Sequence, residues 1–233
     1  MIQKIFKQPK LVVSTDSTLT LPQVIDFLFA KKAAFIPIGS REIIEVQKCY
    51  PIFFIKDEEG DLLPFAMMGI TEDKNLFIDD KGSFKQECYI PALLRVYPFS
   101  ITNYNGKFSL VIDEAAQHKY PGSKKLFTTK GNLTKEAQKM VKIVEEVYAD
   151  LQQTKKALRI FDTLELLRPV DITIEVGKSR YLFEHFLIVD QEKIKNLSDQ
   201  KIAELYRNGI LDVAVLHVAS LSNIERLARM AGE

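Results

Sequence analysis

Between Ala137 and Phe161 one stripe recurs at intervals of 3, 4, 3, 4, 3, 4 and 3 residues: Ala137, Met140, Val144, Val147, Leu151, Thr154, Leu158 and Phe161. That is the period of an α-helix with a single inward face, held for more than three heptads. Asn132 or Thr134 supplies a cap at its start, and Arg168-Pro169 stops it. Unbroken from 134 to 167, such a helix would run roughly 50 Å at 1.5 Å per residue. A compact domain of 233 residues is narrower than that, so the length predicts a break near Gln153–Lys156. The stripe has two uses. It packs across the chain's own sheet or a second helix, or it joins two copies as a homodimer through Ala137, Met140, Val144, Val147, Leu151, Leu158 and Phe161.

What this helix packs on is β-structure joined by short loops. Asn105-Gly106 separates Ser100–Tyr104 from Lys107–Asp113. Asn-Gly accepts the two positive φ angles of a type I′ turn, so these runs form a hairpin. Phe108, Leu110 and Ile112 then share one face, opposite Lys107, Ser109, Val111 and Asp113. Upstream, Ile52–Ile55, the polar turn Asp57–Asp61, Leu62–Ile70 and Leu76–Ile78 read as a three-stranded antiparallel meander closed by Asp79–Gly82. Pro51 and Pro64 cannot donate to a ladder and belong at a strand start or an edge. After Pro169, Asp171–Val176 alternates as a half-exposed strand. Gly177–Ser179 turns it into Arg180–Val189, apolar on both faces and so interior to a sheet. Ser198 caps a helix to Arg207, Asn208-Gly209 ends it, and helices over 210–219 and from Ser222-Asn223 follow, with Ile224 and Leu227 inward. Residues 1–30 carry less pattern. Leu11–Ser14 reads as a short strand, and Thr20-Leu21-Pro22 as a helix start, with Val24, Ile25, Leu28 and Phe29 at helical spacing.

These elements predict one α+β domain over 1–233: antiparallel hairpins and a meander packed with a long helix and C-terminal helices. The composition agrees, at 46% hydrophobic residues with 32 basic against 31 acidic side chains. A formal charge of +1 gives no overall field for nucleic acid or an anionic membrane. Met1–Lys10 has no apolar stretch of the kind a secretory signal needs, and Leu211–Leu221 is too short to span a bilayer. The default location is therefore the cytoplasm, with export by another signal left open. Cys49 and Cys88 are too few for a disulfide framework and lack metal spacing. Free thiols are expected, or one strand-stapling disulfide if the chain is exported.

No catalytic motif stands out. His118, His185 and His217 share no ligand spacing, so no metal is expected, and His185 reads as a core or interface histidine. His217 lies one turn before Ser220 without a local acid or oxyanion hole. Phosphate loops are absent, and no cofactor is expected; Gly177-Lys178-Ser179 lacks the upstream glycine. Asp113-Glu114 is the one carboxylate pair at a strand end, and Arg95-Val96-Tyr97-Pro98-Phe99 the segment richest in functional side chains. Arg95 there caps the preceding short helix or binds an anion. If a ligand site exists, these residues place it at Arg95, Tyr97 and Asp113, with His217 as a further candidate.

Several stretches resemble the bacterial SapC family: Tyr50–Phe54, Asn75–Asp79, Tyr89–Phe99, Ile112–Glu114, Leu187–Asp190, and the H-x-x-S-L-x-N run of His217, Ser220, Leu221 and Asn223. The likeness covers roughly residues 34–230. Val96 and Ser222 stand where the family's pattern often has a basic residue and a glycine. The resemblance implies an accessory or binding protein of surface-layer biogenesis or export, with surface-layer or export proteins as partners. Some members accompany outer-membrane receptors or flavin halogenases. It implies no particular reaction and so carries no catalytic residue. An enzyme or small-ligand sensor remains the alternative.

Overall fold

The computed structural model describes residues 5–57, 59–71 and 73–232. Along the chain run β1 (Pro9–Leu11), β2 (Phe35–Pro37), α1 (Ile43–Val46), β3 (Ile52–Lys56), β4 (Leu62–Met67), α2 (Ala92–Arg95), β5 (Phe99–Tyr104), β6 (Lys107–Asp113), α3 (Glu114–Lys119) and α4 (Lys135–Thr163). The hairpin β7 (Leu167–Val176) and β8 (Ser179–Val189) follows, then α5 (Gln191–Lys195), α6 (Asp199–Arg207), α7 (Ile210–Ser220) and α8 (Asn223–Gly232). Two antiparallel sheets result, ordered β1-β6-β5 and β2-β4-β3-β8-β7. This is the α+β class that the hairpins and helices predicted.

The Asn105-Gly106 turn forms as expected, with φ of 51° and 75°. The meander does not. Leu76–Ile78 is irregular, and the second neighbour of β4 is β2, paired Phe35 with Met67. Gly69 explains the departure: a Cβ there would sit 1.8 Å from the Lys74 carbonyl oxygen. The chain therefore folds back on itself at Gly69 rather than running on to Ile70. Pro64 stands inside β4, not at its start. Its carbonyl accepts from the Ile38 N–H at 3.0 Å, so its nitrogen faces the side where β2 has already ended. The ladder to β3 loses nothing.

Residues 20–29 form no helix apart from a 3-10 turn at Leu28–Ala30. Their amides are bonded elsewhere: Leu21 N–H to Lys124 O, and Gln23 N–H to Tyr120 O. The N-terminal strand is Pro9–Leu11, two residues ahead of the expected Leu11–Ser14. The β8 strand is interior only at its base, where Phe186, Ile188 and Val189 are buried. Its pairing with β3 is confined to Phe54 and Leu187; further out His185 is exposed and Leu182 58% exposed, while Ile174 on β7 is buried.

Thr134 caps α4, its Oγ1 accepting from Ala137 N–H. The helix then runs 29 residues without the expected break, about 44 Å at 1.5 Å per residue. It fits because it lies over both sheets. Ala137 and Val144 pack with Phe99, Ile112 and Leu126, whereas Leu158 and Phe161 join the larger core, Phe161 meeting Phe54 edge-on at 5.5 Å. Thr154 keeps the middle helical by donating to Asp150 O at 2.7 Å. The stripe thus packs inside the chain: Ala137, Val144, Leu158 and Phe161 have at most 2% of their surface exposed. These four positions have no surface left for a second copy. The helix ends before Arg168-Pro169, at a Schellman turn: Glu165 has φ 51°, and Leu166 N–H bonds Phe161 O at 2.8 Å. No helix among the described residues is long and apolar enough to cross a membrane.

Candidate functional site

Gly39 and the 3-10 turn Ser40–Glu42 follow β2 and meet the middle of α4. The approach is close: a Cβ on Gly39 would lie 1.8 Å from Asp150 Oδ2. Ser40 N–H donates to Thr154 Oγ1 at 2.8 Å, fixing the turn to the helix. On the other side Pro91 starts α2, and the Ala92 N–H donates to Glu42 Oε2 at 2.7 Å. Between turn, α2 and α4 lies a cavity of about 320 Å³, within the lower range of small-ligand pockets. Its polar wall holds Arg41, Glu42, Tyr89, Arg95 and Asp150, and its apolar wall Leu93, Val147 and Leu151.

Three of these groups are coupled in series. Arg95 Nη2 donates to the Tyr89 hydroxyl at 2.6 Å and its guanidinium lies 5.1 Å from the Tyr89 ring centroid. The Tyr89 hydroxyl in turn lies in the field of the Glu42 carboxyl. Burial pushes the Glu42 carboxyl above the usual carboxylate range, although the Ala92 and Gly39 N–H bonds pull the other way. Burial, and then the charge of Glu42, push the Tyr89 hydroxyl up to about 12. Tyr89 therefore stays protonated at neutral pH.

Asp150 is the second acid of the cavity, half-buried. Burial raises its carboxyl against the nearby Arg41. The Arg41 Nε forms an ion pair with Oδ1 at 3.7 Å, too far for a hydrogen bond, and Oδ1 has no hydrogen-bond partner among the described residues. Arg95 likewise bonds a neutral phenol and has no carboxylate within 4 Å among the described residues. The cavity thus offers a cation free to pair and an acceptor or acid free to bond a hydroxyl. A larger depression of about 470 Å³ lies between the tip of the β5–β6 hairpin and α4, away from Arg95, Tyr89 and Glu42.

Of the residues singled out in the sequence, only Arg95 lines this cavity. Tyr97 and Asp113 do meet, the Tyr97 hydroxyl donating to Asp113 Oδ2 at 2.8 Å, but on the far side of α2. Asp113 also accepts from the N–H groups of Lys7, Gln8 and Ala115 at 3.0, 2.9 and 3.3 Å. It has no exposed surface. It ties down the N-terminal segment and caps α3. His217 is buried elsewhere, its Nε2 accepting from Val189 N–H at 3.2 Å. Ser220 Oγ accepts from Ile52 N–H at 3.0 Å, and Asn223 donates to Gln47 O at 2.7 Å. The H-x-x-S-L-x-N run therefore clamps α7 to β3 and β8, and the start of α8 to the turn after α1. The four candidates do not share one cavity.

Glu42, Tyr89, Arg41 and Asp150 were not foreseen. One faint signal existed: Gly39 and Glu42 have the spacing of a capping box, and Asp150 with Thr154 puts a polar pair beside the stripe of α4. Elsewhere, Asp57, Glu59 and Asp61 come near enough to share a cation. Lys155 pairs with Asp57 and Arg159 with Asp61, the latter at 3.1 Å, so this acidic turn is already tied to α4.

Fold and site together define an antiparallel α+β protein with a small, mixed-polarity cavity over the middle of its longest helix. The family model described as SapC matches residues 17–227, and the chain belongs to that family. No curated protein and no solved structure matches it.

Proposed function

We propose that this SapC-family chain is a non-enzymatic binding protein that takes a small hydroxylated anion, such as a sugar acid or a sugar phosphate, in the Arg95–Asp150 cavity. The observation that carries this is a pair of groups lining the cavity: the Arg95 guanidinium, bonded to a phenol rather than a carboxylate, and Asp150 Oδ1, a carboxylate oxygen without a hydrogen bond among the described residues. An anionic oxygen answers the first and a hydroxyl the second. Tyr89, Ala92, Leu93 and Arg95 line the cavity and lie in the Tyr89–Phe99 stretch that resembles the family, which supports the reading. The setting implied by the resemblance, surface-layer biogenesis or export, is part of the proposal.

Melting curves with millimolar gluconate, glucuronate, glucose 6-phosphate and orthophosphate test it, because a ligand of the native state raises the melting temperature. At least one hydroxylated anion is expected to raise it. Arg95→Ala should weaken that ligand by about ten-fold or more, the worth of one charge-assisted hydrogen bond, while Arg159→Ala outside the cavity leaves it unchanged. No shift with any of the four, or equal shifts in wild type and Arg95→Ala, would refute the site. Deletion of the gene with undisturbed surface-layer display would refute the setting.

A further inference from the structure

Two buried thiols lie on facing turns beside the cavity. Cys49 follows α1, and Cys88 closes the turn from Lys85, its N–H bonding Lys85 O at 3.1 Å. The two segments run alongside each other. Cys49 Sγ donates to Glu87 O at 3.7 Å, and one residue further on the Tyr50 hydroxyl donates to Tyr89 O at 2.6 Å. Glu87, whose carbonyl takes the Cys49 thiol, is the residue next to Cys88, and burial, then the Cys49 thiol, raise the proton affinity of Cys88. Arg226 of α8 donates through Nη2 to Cys88 Sγ at 3.2 Å, which brings a cation to the pair. A guanidinium bonded to a cysteine sulfur favours thiolate and sulfenate.

We propose that Cys49 and Cys88 are a reversible dithiol–disulfide pair, oxidised by a small peroxide, whose closure fastens the segment carrying Tyr89 to the turn after α1. One thiolate attacks the peroxide, the O–O bond breaks, an S–O bond forms, and the expelled hydroxide takes up a proton to leave as water. The second thiol attacks the sulfenic sulfur, an S–S bond forms, the S–O bond breaks, and a second water leaves. Two electrons pass from the sulfurs to the peroxide. Hydrogen peroxide is small enough to enter a site whose cysteines are 5% and 7% exposed. Burial holds the Cys88 thiol up to about 12, so oxidation is slow at neutral pH and accelerates with rising pH. The disulfide stands without the binding function proposed above; only its effect on a ligand rests on that reading.

The full chain treated with hydrogen peroxide at pH 8, then denatured without reductant, gives the test. Expected are the loss of both titratable thiols, an intact mass lower by two hydrogens, and a peptide map joining Cys49 to Cys88, all reversed by dithiothreitol. The oxidised form should melt roughly 10 °C higher, as closing a loop of this size implies. Amides of residues 85–90 should exchange more slowly in it. Cysteines that stay free, go separately to sulfinic acid, or link two chains would overturn the pair. Unchanged exchange at 85–90 would overturn the fastening. Melting curves with the anions, run on the reduced form, read the cavity independently of either result.

Discussion

Asp113 accepts hydrogen bonds from three parts of the chain at once, and its carboxylate joins them. Asp113→Ala would leave the buried Tyr97 hydroxyl and the N-terminal amides without an acceptor, so a loss of about 3 kcal/mol or more is expected in urea unfolding. The sequence marked Asp113 as a carboxylate worth suspecting but could not show its role, because its donors at Lys7 and Gln8 lie 106 and 105 residues away. His217 has a different signature. Burial lowers its imidazole from 6.5 to about 4, and Nδ1 has no partner among the described residues. Neutral His217 in the fold faces an unfolded imidazole that still binds a proton near 6.5. Its contribution is therefore complete above pH 6.5 and is lost as pH falls toward 4. Between pH 7 and pH 5 the wild type should lose about 2 kcal/mol that His217→Gln does not, at 1.36 kcal/mol per unit. Glu42 and Asp150, raised by burial, act in the opposite sense and are common to both proteins.

Elements whose instructions are local were legible. The Asn105-Gly106 hairpin, the Thr134 cap and the Ser198 cap each need only a few neighbouring residues. Nothing lies within 4 Å of a Cβ placed on Gly106, so Gly106→Ala should cost about 1 kcal/mol through backbone conformation alone. Glu165 is the converse case, a non-glycine residue at φ 51° in the Schellman turn that ends α4. Glu165→Gly should stabilise the protein by about 0.5–1 kcal/mol, seen as a later urea midpoint at unchanged slope. Elements chosen by distant competition were not legible. β4 takes β2 rather than Leu76–Ile78 because Gly69 folds the chain back, and the Thr20–Phe29 stretch loses its helix to carbonyls of Tyr120 and Lys124. The cavity was hidden for the same reason. Its walls come from residues 39–42, 89–95 and 143–151, which no local pattern connects.

At the scale of the molecule, α4 is the member common to both apolar clusters, with Ala137 and Val144 in one and Leu158 and Phe161 in the other. A rigid helix shared in this way couples the two sheets. Urea unfolding followed by far-ultraviolet circular dichroism and by the near-ultraviolet signal of the 8 tyrosines should give coincident transitions. Leu158→Ala should shift both together by about 3 kcal/mol, and separated transitions would show that the sheets unfold independently. Because Ala137, Val144, Leu158 and Phe161 are covered from within, Val144→Ala should leave the mass found by light scattering at high concentration unchanged. The order of the five-stranded sheet has a consequence in time. β3 is a central strand, but the strand on its far side, β8, follows 133 residues later, Phe54 to Leu187. Ile52 waits longer still, for Ser220 at a separation of 168. At about 5–20 residues per second, a ribosome leaves that β3 edge uncovered for roughly ten to thirty seconds. The nascent chain therefore passes through a period in which an apolar edge, Ile52-Phe53-Phe54, is open to wrong partners. Expression at lower temperature or with a chaperone that shields strand edges should raise the soluble yield.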